Sequence, residues 1–170
     1  IRIAICPAAK HKTKMFPQNK IIEIGKRLAE DKSLAILLLG SKEERNYCGE
    51  IAELISKTQC FNLAGLTNIP ETLAAMNECH IVVANDSGLM HLANLSKRPL
   101  VAIFGSTVRE LGFYPAGKNA MVFEIEGLKC RPCSHIGRKE CPKKHFRCMR
   151  DIDEKLILGQ IKNILYPENL

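Results

Sequence analysis

The chain has 170 residues, of which 46% are hydrophobic, a length that suits one sizeable core and is short for two. No apolar run approaches the roughly 20 residues of a membrane-spanning helix, and the first residues lack the order of a signal peptide. We therefore expect a soluble, cytoplasmic domain whose eight cysteines are mostly reduced. Because an apolar segment begins at Ile1 with no lead-in, we also expect this domain to be part of a longer protein.

Short apolar segments alternate with longer amphipathic ones along the chain. The short segments are bounded by Gly, Pro, Asn or Ser and predict strands over residues 2–6, 34–39, 60–63, 81–84, 100–104 and 121–125. Helical spacing of apolar residues predicts helices over residues 19–31, 43–57, 70–79 and 151–165. This alternation predicts an α/β fold, a Rossmann-like doubly wound parallel sheet with helices on both faces.

Ligands of such folds bind beyond the carboxyl ends of the strands, so the loops there are the first place to look for a site. The loop after the first predicted strand is rich in basic residues, including Lys10, Lys12 and Lys14. The sequence contains neither Gly-x-Gly-x-x-Gly nor a P-loop motif, which argues against a dinucleotide oxidoreductase and a P-loop ATPase.

The stretch "VVANDSGLMHLANL", residues 82–95, passes from the fourth predicted strand into a helical pattern. Gly88 would let backbone approach a phosphate at the amino end of this helix, and His91 would lie on the first turn. Asp86 would repel a phosphate, so a functional Asp86 is better suited to accept hydrogen bonds from sugar hydroxyls. The alternative is structural: Asp86 or Ser87 caps the helix and His91 is a surface residue.

Several stretches together resemble glycosyltransferase family 9, the heptosyltransferases. "NDSGLMHLA" is similar to the family's Asp-Ser/Thr-Gly-x-x-His-x-Ala motif, and "FPQNK" close behind a lysine is similar to its Lys-x-Trp/Phe-Pro. "FGST" with "YP" downstream and the cysteine-bearing segment "CRPCSHIGRKECPKKHFRCMRDI" extend the resemblance over nearly the whole chain. The resemblance is to the carboxyl-terminal half of these two-domain GT-B enzymes. It implies that residues 1–170 form a single nucleotide-sugar-binding domain, with a basic cysteine-rich loop at 129–150 and a last helix at 151–165.

The resemblance also implies roles for individual residues. Lys14 would neutralise the diphosphate of the sugar donor, with Thr13 a substitute for a hydroxyl that members often carry before the lysine. Asp86 would hold hydroxyls of the transferred sugar. The further residues implied to contact the sugar donor are Glu43 or Glu44 at the nucleoside ribose, and Ser87, Gly88, Leu89 and His91 at the phosphates.

No catalytic residue is expected in this chain, because the general base of the family is an aspartate of the amino-terminal half. The resemblance implies a cytoplasmic enzyme, peripheral at the inner membrane, that transfers heptose from ADP-heptose to the lipopolysaccharide inner core. The lipid-linked acceptor would bind through the missing half, no cofactor would be required, and the chain alone would bind the sugar donor without turnover.

The formal charge of +7 is concentrated in the cysteine-rich segment. Residues 129–150 contain eight basic residues and one acidic residue, so this segment alone carries +7 and the rest of the chain is neutral. Such a concentration favours an anionic partner: a phosphate group, a nucleic acid or an acidic membrane surface. A solvated loop that keeps the protein soluble is an equally good interpretation.

Four cysteines of this segment follow the spacing C-x2-C-x7-C-x6-C, at Cys130, Cys133, Cys141 and Cys148. Four thiolates can hold a structural Zn²⁺ tetrahedrally, but the later spacings are less typical of zinc sites, the resemblance does not require a metal, and reduced cysteines can simply pack beneath a loop. The other four, Cys6, Cys48, Cys60 and Cys79, fall on predicted core positions. The alternative to the enzyme is a zinc-binding module that contacts nucleic acid through the basic segment, but the chain has no tryptophan and few other aromatic residues for base stacking. A sugar-nucleotide epimerase half would share the fold but not the motif.

Overall fold

All six predicted strands lie in one parallel sheet in the computed structural model, which describes residues 1–167. The strands are β1 (Arg2–Cys6), β2 (Ala35–Leu38), β3 (Cys60–Asn62), β4 (Ile81–Asn85), β5 (Leu100–Ile103) and β6 (Ala120–Phe123). Their order in the sheet is β3-β2-β1-β4-β5-β6. The prediction of a Rossmann-like doubly wound fold is confirmed. Residues 168–170 of the predicted single domain 1–170 lie outside the described part.

Six α-helices connect or follow these strands in the described residues. They are α1 (Gln18–Leu28), α2 (Arg45–Ile55), α3 (Ile69–Asn77), α4 (Gly88–Leu95), α5 (Arg147–Arg150) and α6 (Glu154–Leu165). Short 3₁₀ turns cover Lys12–Lys14 and Arg109–Leu111. Within residues 1–167, no helix combines the length and apolar character needed to cross a membrane.

Side chains of the strands alternate between two hydrophobic clusters, one on each face of the sheet. On β1, Ile3 and Ile5 pack with the buried residues of α1, α2 and α6, whereas Ala4 and Cys6 pack with those of α3 and α4. All five residues of β4 are buried, as expected for a central strand covered on both faces. This burial fixes the strand ends, where the candidate site residues lie.

The last predicted helix begins later than expected, at Glu154 rather than residue 151. The Asp153 side chain accepts a hydrogen bond from the backbone N–H of Lys155 and so caps the helix there. The basic segment 129–150 was predicted to be a loop throughout, but its last residues, 147–150, form the short helix α5. The bounds of β1 are as predicted, and the other strands differ from the prediction by one or two residues at one or both ends, since pairing with neighbours rather than apolar character decides where each strand stops.

Residues 124–146 contain neither a helix nor a strand. We call this stretch, together with Cys148 on α5, the cysteine segment. It lies beyond the carboxyl end of β6, and Cys133 donates a backbone hydrogen bond to Ser106 in the loop after β5. The cysteine segment therefore packs at the edge of the sheet where ligands bind in this class of fold.

Candidate functional site

The centre of the sheet is a topological switch point. β1 and β4 are neighbours, and the chain leaves β1 towards β2 on one side and β4 towards β5 on the other. The loops that follow these two strands diverge and leave a crevice, the usual ligand position of an open parallel sheet. Lys14 follows β1 and Asp86 follows β4, so both predicted residues lie at this crevice.

Asn85, the last residue of β4, holds the loop after β1 in place. Its Oδ1 accepts a hydrogen bond from the backbone N–H of Phe16 at 3.0 Å, and its Nδ2 donates to the carbonyl of Pro7 at 2.8 Å. Both bonds are buried, so each satisfies a backbone group that would otherwise be costly to bury. The loop that carries Lys14 is thereby fixed at both of its ends.

Lys14 and Asp86 form a buried ion pair. The Lys14 ammonium lies 2.8 Å from Oδ2 of Asp86, and the two side chains are 11% and 2% exposed. Thr107, in the loop after β5, donates its hydroxyl hydrogen bond to the same oxygen at 2.5 Å. Removing one partner of such a pair would leave an uncompensated buried charge, at a cost of about 3–5 kcal/mol. The sequence places both residues at the crevice but does not predict that they neutralise each other.

The first turn of α4 is open to a ligand. A methyl group added at Gly88 would have no atom within 4 Å, and Gly88 is exposed, so neither packing nor a special conformation requires a glycine here. Ser87 occupies the N-cap position, but its hydroxyl makes no capping bond and is buried without a partner. Leu89 is half-buried and His91 is exposed. The amino-terminal N–H groups of α4 are therefore free of side-chain caps.

Glu43 and Glu44 follow β2 and differ in their surroundings. Glu44 is partly buried and accepts a hydrogen bond from the backbone N–H of Ser41 at 2.7 Å. Glu43 is exposed, and hydrogen bonds from its own backbone N–H and the Ser41 hydroxyl hold its pKa below the usual range. Of the two, only Glu44 lies against the carboxyl end of the sheet, because its carboxylate is close to Gly40.

Thr13 joins the Lys14 loop to the cysteine segment. Its N–H donates to the Arg138 carbonyl at 3.1 Å, and its hydroxyl accepts from the Arg138 N–H at 2.7 Å. Gly137 has a φ of 107° and lies against His11, where a Cβ would come within 2.8 Å of the His11 side chain. The role of Thr13 seen here is structural, and its hydroxyl is already engaged.

Three further residues of the site were missed at the sequence level: Asn85, Thr107 and Phe113. Thr107 lies in the "FGST" stretch, so that stretch carried a signal, but no pattern linked it to Asp86. Phe113 places its ring 5.1 Å from the Lys14 ammonium, within cation–π distance. These contacts depend on the strand order, which brings the loops after β1, β4 and β5 together.

The eight cysteines are found as free thiols in two groups. Cys6, Cys48, Cys60 and Cys79 are buried in the core, as predicted. Within residues 1–167, no three His, Cys, Asp or Glu side chains are arranged closely enough to hold a metal ion as they stand.

Comparison with known proteins identifies the family. The family model described as "Glycosyltransferase family 9 (heptosyltransferase)" matches residues 2–145. The chain belongs to glycosyltransferase family 9. It is 36% identical over 171 residues to lipopolysaccharide heptosyltransferase 2 of Escherichia coli K12, covering 98% of this chain and 47% of that protein. It is 37% identical over 170 residues to lipooligosaccharide heptosyltransferase 2 of Haemophilus ducreyi, covering 96% and 47%.

The fold agrees with that of a solved family 9 enzyme. The structure described as E. coli ADP-heptose lps heptosyltransferase II superposes with a TM-score of 0.80 at 26% identity, covering 99% of this chain and 47% of that one. The chain thus spans about half the length of its family 9 relatives and has the fold of the carboxyl-terminal domain of a GT-B glycosyltransferase. These comparisons give no support to the alternative of a nucleic-acid-binding zinc module.

Proposed function

We propose that this chain is the sugar-donor-binding domain of a heptosyltransferase, which transfers heptose from ADP-heptose to the lipopolysaccharide inner core. The observation that carries the proposal is the buried Lys14–Asp86 pair at the switch point, next to the uncapped first turn of α4. The similarity to heptosyltransferases over about half their length supports the same substrate class.

The geometry allows each group of an ADP-sugar a separate partner. An ammonium has three N–H donors, so Lys14 can bind a diphosphate oxygen while it keeps Asp86. Both side-chain contacts of Asp86 involve its Oδ2, so its Oδ1 can accept a hydrogen bond from a sugar hydroxyl. Backbone at Gly88 and Leu89 would meet the phosphates with the helix dipole behind it, and His91 is positioned to donate from the first turn.

The nucleoside end of the ligand would lie towards β2. Of the two acidic residues after that strand, we assign the ribose contact to Glu44, because it faces the carboxyl end of the sheet and has one carboxylate oxygen not used by Ser41. Glu43 lies towards solvent and is the weaker choice.

The reaction requires charge on the leaving diphosphate to be stabilised as the glycosidic bond breaks. Lys14 and the amino end of α4 supply fixed positive charge for this purpose, and no cofactor is needed in the proposed scheme. A general base must also remove the acceptor's proton. We propose that this base and the acceptor site lie in the missing half, so the chain alone binds the sugar donor without transferring it.

The remaining proposals concern location. The basic residues of the cysteine segment would face the acidic lipid-linked acceptor or the lipid headgroups, with the enzyme peripheral at the cytoplasmic face of the inner membrane.

Calorimetric titration of the chain with ADP-heptose tests the proposal, and Gly88→Ala is the variant to compare. The added methyl has free space in the protein, so the fold should be retained, but it would occupy the position of the phosphates. We expect affinity to fall about tenfold or more, equivalent to about 1.4 kcal/mol. Gly159→Ala is the matched control, because Gly159 is an exposed helical glycine with equally free space on α6, and it should bind like the unaltered chain.

No measurable binding of ADP-heptose to the folded chain, or equal affinity in the two glycine variants, would contradict the proposed site. Transfer of heptose by the isolated chain at the rate of a complete enzyme would contradict the assignment of the base to the missing half.

A further inference from the structure

The four cysteines of the cysteine segment converge on one cavity. Cys130, Cys133, Cys141 and Cys148 all line one small cavity of about 10 Å³, although up to eighteen positions separate them in sequence. His145 lines the same cavity, with its Nε2 at 3.8 Å from the Cys130 sulfur. The core cysteines show no such convergence, because they are distributed over both faces of the sheet. The spacing alone does not require this arrangement.

Two buried hydrogen-bond donors at this cavity have no acceptor. Within residues 1–167, three side chains have a buried polar atom without a partner, and two of them, Ser106 at its hydroxyl and Arg131 at its Nε, line the cysteine cavity. A buried donor that stays unsatisfied destabilises the fold. The other two guanidinium nitrogens of Arg131 are engaged: Nη1 donates to the carbonyl of Ile125, and Nη2 donates to the carbonyl of Thr107 and the carboxylate of Glu124. Each of the two atoms can donate a hydrogen bond to an acceptor in the cavity, and neither has an acceptor among the described residues.

Thiolate sulfurs would supply that acceptor. A neutral thiol is a weak acceptor, whereas a metal-bound thiolate carries negative charge and accepts hydrogen bonds from surrounding N–H and O–H groups. Four thiolates around a divalent ion leave a net charge of −2. The guanidinium of Arg131, whose side chain is 6% exposed, is already paired with the Glu124 carboxylate, so it would stabilise the bound sulfurs through a hydrogen bond from its Nε and not through an uncompensated charge.

The cysteine segment is unusually long for a stretch without regular secondary structure. Residues 124–146 form a stretch of 23 residues without helix or strand, which is uncommon inside a compact domain unless it is functional or held by an added link. A metal ion with four ligands from one such stretch is a standard way to hold it.

We propose that Cys130, Cys133, Cys141 and Cys148 bind one Zn²⁺ ion in this cavity, with Ser106 and Arg131 as hydrogen-bond donors to the bound sulfurs. Binding releases the four thiol protons to solvent and forms four Zn–S bonds. The sulfurs are not yet arranged as a coordination shell. Binding would therefore require the four side chains to change rotamer so that their sulfurs approach one point.

The proposed ion has a structural role beside the Lys14 loop. Through Arg138 the cysteine segment is hydrogen-bonded to Thr13, and through Gly137 it packs on His11. A zinc ion would hold the cysteine segment, and with it these contacts to the Lys14 loop, in one position without contacting the ligand of the crevice. The proposal does not depend on the identity of the sugar donor.

Elemental analysis of the chain, purified under reducing conditions without chelator, tests the proposal. We expect about one zinc per chain, absent from the double variant Cys130→Ser/Cys133→Ser and retained in the core variant Cys60→Ala. Iron at the same stoichiometry, lost in the same double variant, would support the tetrathiolate site and change the metal. Less than about a fifth of an ion per chain, after reconstitution with excess zinc under reducing conditions, would overturn it.

Cobalt titration provides a measurement that does not depend on the folding of a cysteine variant. Tetrahedral Co²⁺ bound to four thiolates has intense visible and sulfur charge-transfer absorption, which octahedral cobalt lacks. We expect this spectrum to saturate at about one equivalent in the unaltered chain. Ser106→Ala removes one proposed hydrogen bond to sulfur and should weaken metal binding about tenfold. A spectrum of octahedral cobalt only, or unchanged affinity in Ser106→Ala, would contradict the arrangement.

Discussion

The fold separates the eight cysteines into two sets of four with different surroundings. In the core set, Cys6, Cys48, Cys60 and Cys79 are buried among aliphatic side chains, and burial raises the pKa of Cys48 and Cys60 to about 12. In the cysteine segment, all four line one cavity; Cys130, Cys133 and Cys141 are only partly buried, and Cys148 is buried and also belongs to a hydrophobic cluster. The difference shows that a cysteine's reactivity follows its surroundings in the fold. Packing within the hydrophobic clusters makes a cysteine a small apolar residue, while the partly exposed positions of the cysteine segment leave the sulfur available.

Thiol labelling should show the largest difference between the two sets. With an aromatic disulfide reagent at neutral pH and with metal removed, we expect Cys130, Cys133 and Cys141 to react from the native state. Core thiols should react only through unfolding, about a thousandfold or more slowly, because a domain of ordinary stability opens that rarely. Mass spectrometry of labelled peptides over time measures both rates. Comparable labelling rates for Cys48 and Cys141 would contradict the difference in accessibility between the core cysteines and those of the cysteine segment.

Serine substitution should show a smaller difference, in stability. Cys48→Ser places a hydroxyl at a site that is 0% exposed, without a hydrogen-bond partner, and should lower the free energy of unfolding by about 2–3 kcal/mol. Cys141→Ser, at a partly exposed position, should change it by less than about 0.5 kcal/mol in metal-free protein. Urea unfolding of both variants with chelator present measures the two values. A loss in Cys141→Ser as large as in Cys48→Ser would show that the segment packs like the core.

The change in stability at alkaline pH is the smallest effect that we expect from the difference between the two sets of cysteines. Burial raises the pKa of Cys60 from 9.0 to about 12 in the folded chain, so the folded state keeps a proton that the unfolded state loses. Its contribution to stability is present below about pH 9 and is lost as pH rises towards 12. At pH 10 the loss relative to pH 8 should be about 1 kcal/mol larger in the unaltered chain than in Cys60→Ala.

Ile55→Val is the matched control for this pH series, because Ile55 lies in the same hydrophobic cluster and does not titrate. It should lower stability by an amount that does not change with pH. An equal slope in Cys60→Ala and the unaltered chain would contradict the raised pKa.

Much of the fold could be predicted from the sequence because its signals are local. The apolar segment 81–84 and the Gly88 that follows it each indicate the secondary structure of the residues around them, and β4 and α4 lie where this pattern places them. For Lys14 and Asp86, the sequence predicted only that the two loops carrying them lie at the same edge of the sheet. The direct ion pair depends on β1 and β4 being neighbours, and no local pattern specifies the strand order.

The contacts of Thr107 and Arg131 were not predictable for the same reason. Thr107 reaches Asp86 across 21 positions in sequence, and Arg131 reaches the carbonyl of Thr107 across 24. The cysteine spacing indicated a shared ligand, but the cavity and its two unpartnered donors are visible only in the folded chain.

If the crevice holds the proposed sugar donor, the Lys14–Asp86 pair gives it a selectivity that neither residue could achieve alone. A free phosphate that draws the Lys14 ammonium towards itself weakens the hold on a carboxylate that is 2% exposed and has little water to replace it. A ligand that brings an anion and, a few bonds away, a hydroxyl group compensates both partners at once. In the proposed function, the pair would therefore discriminate against inorganic phosphate and a nucleoside diphosphate, and would favour a molecule that carries diphosphate and sugar together.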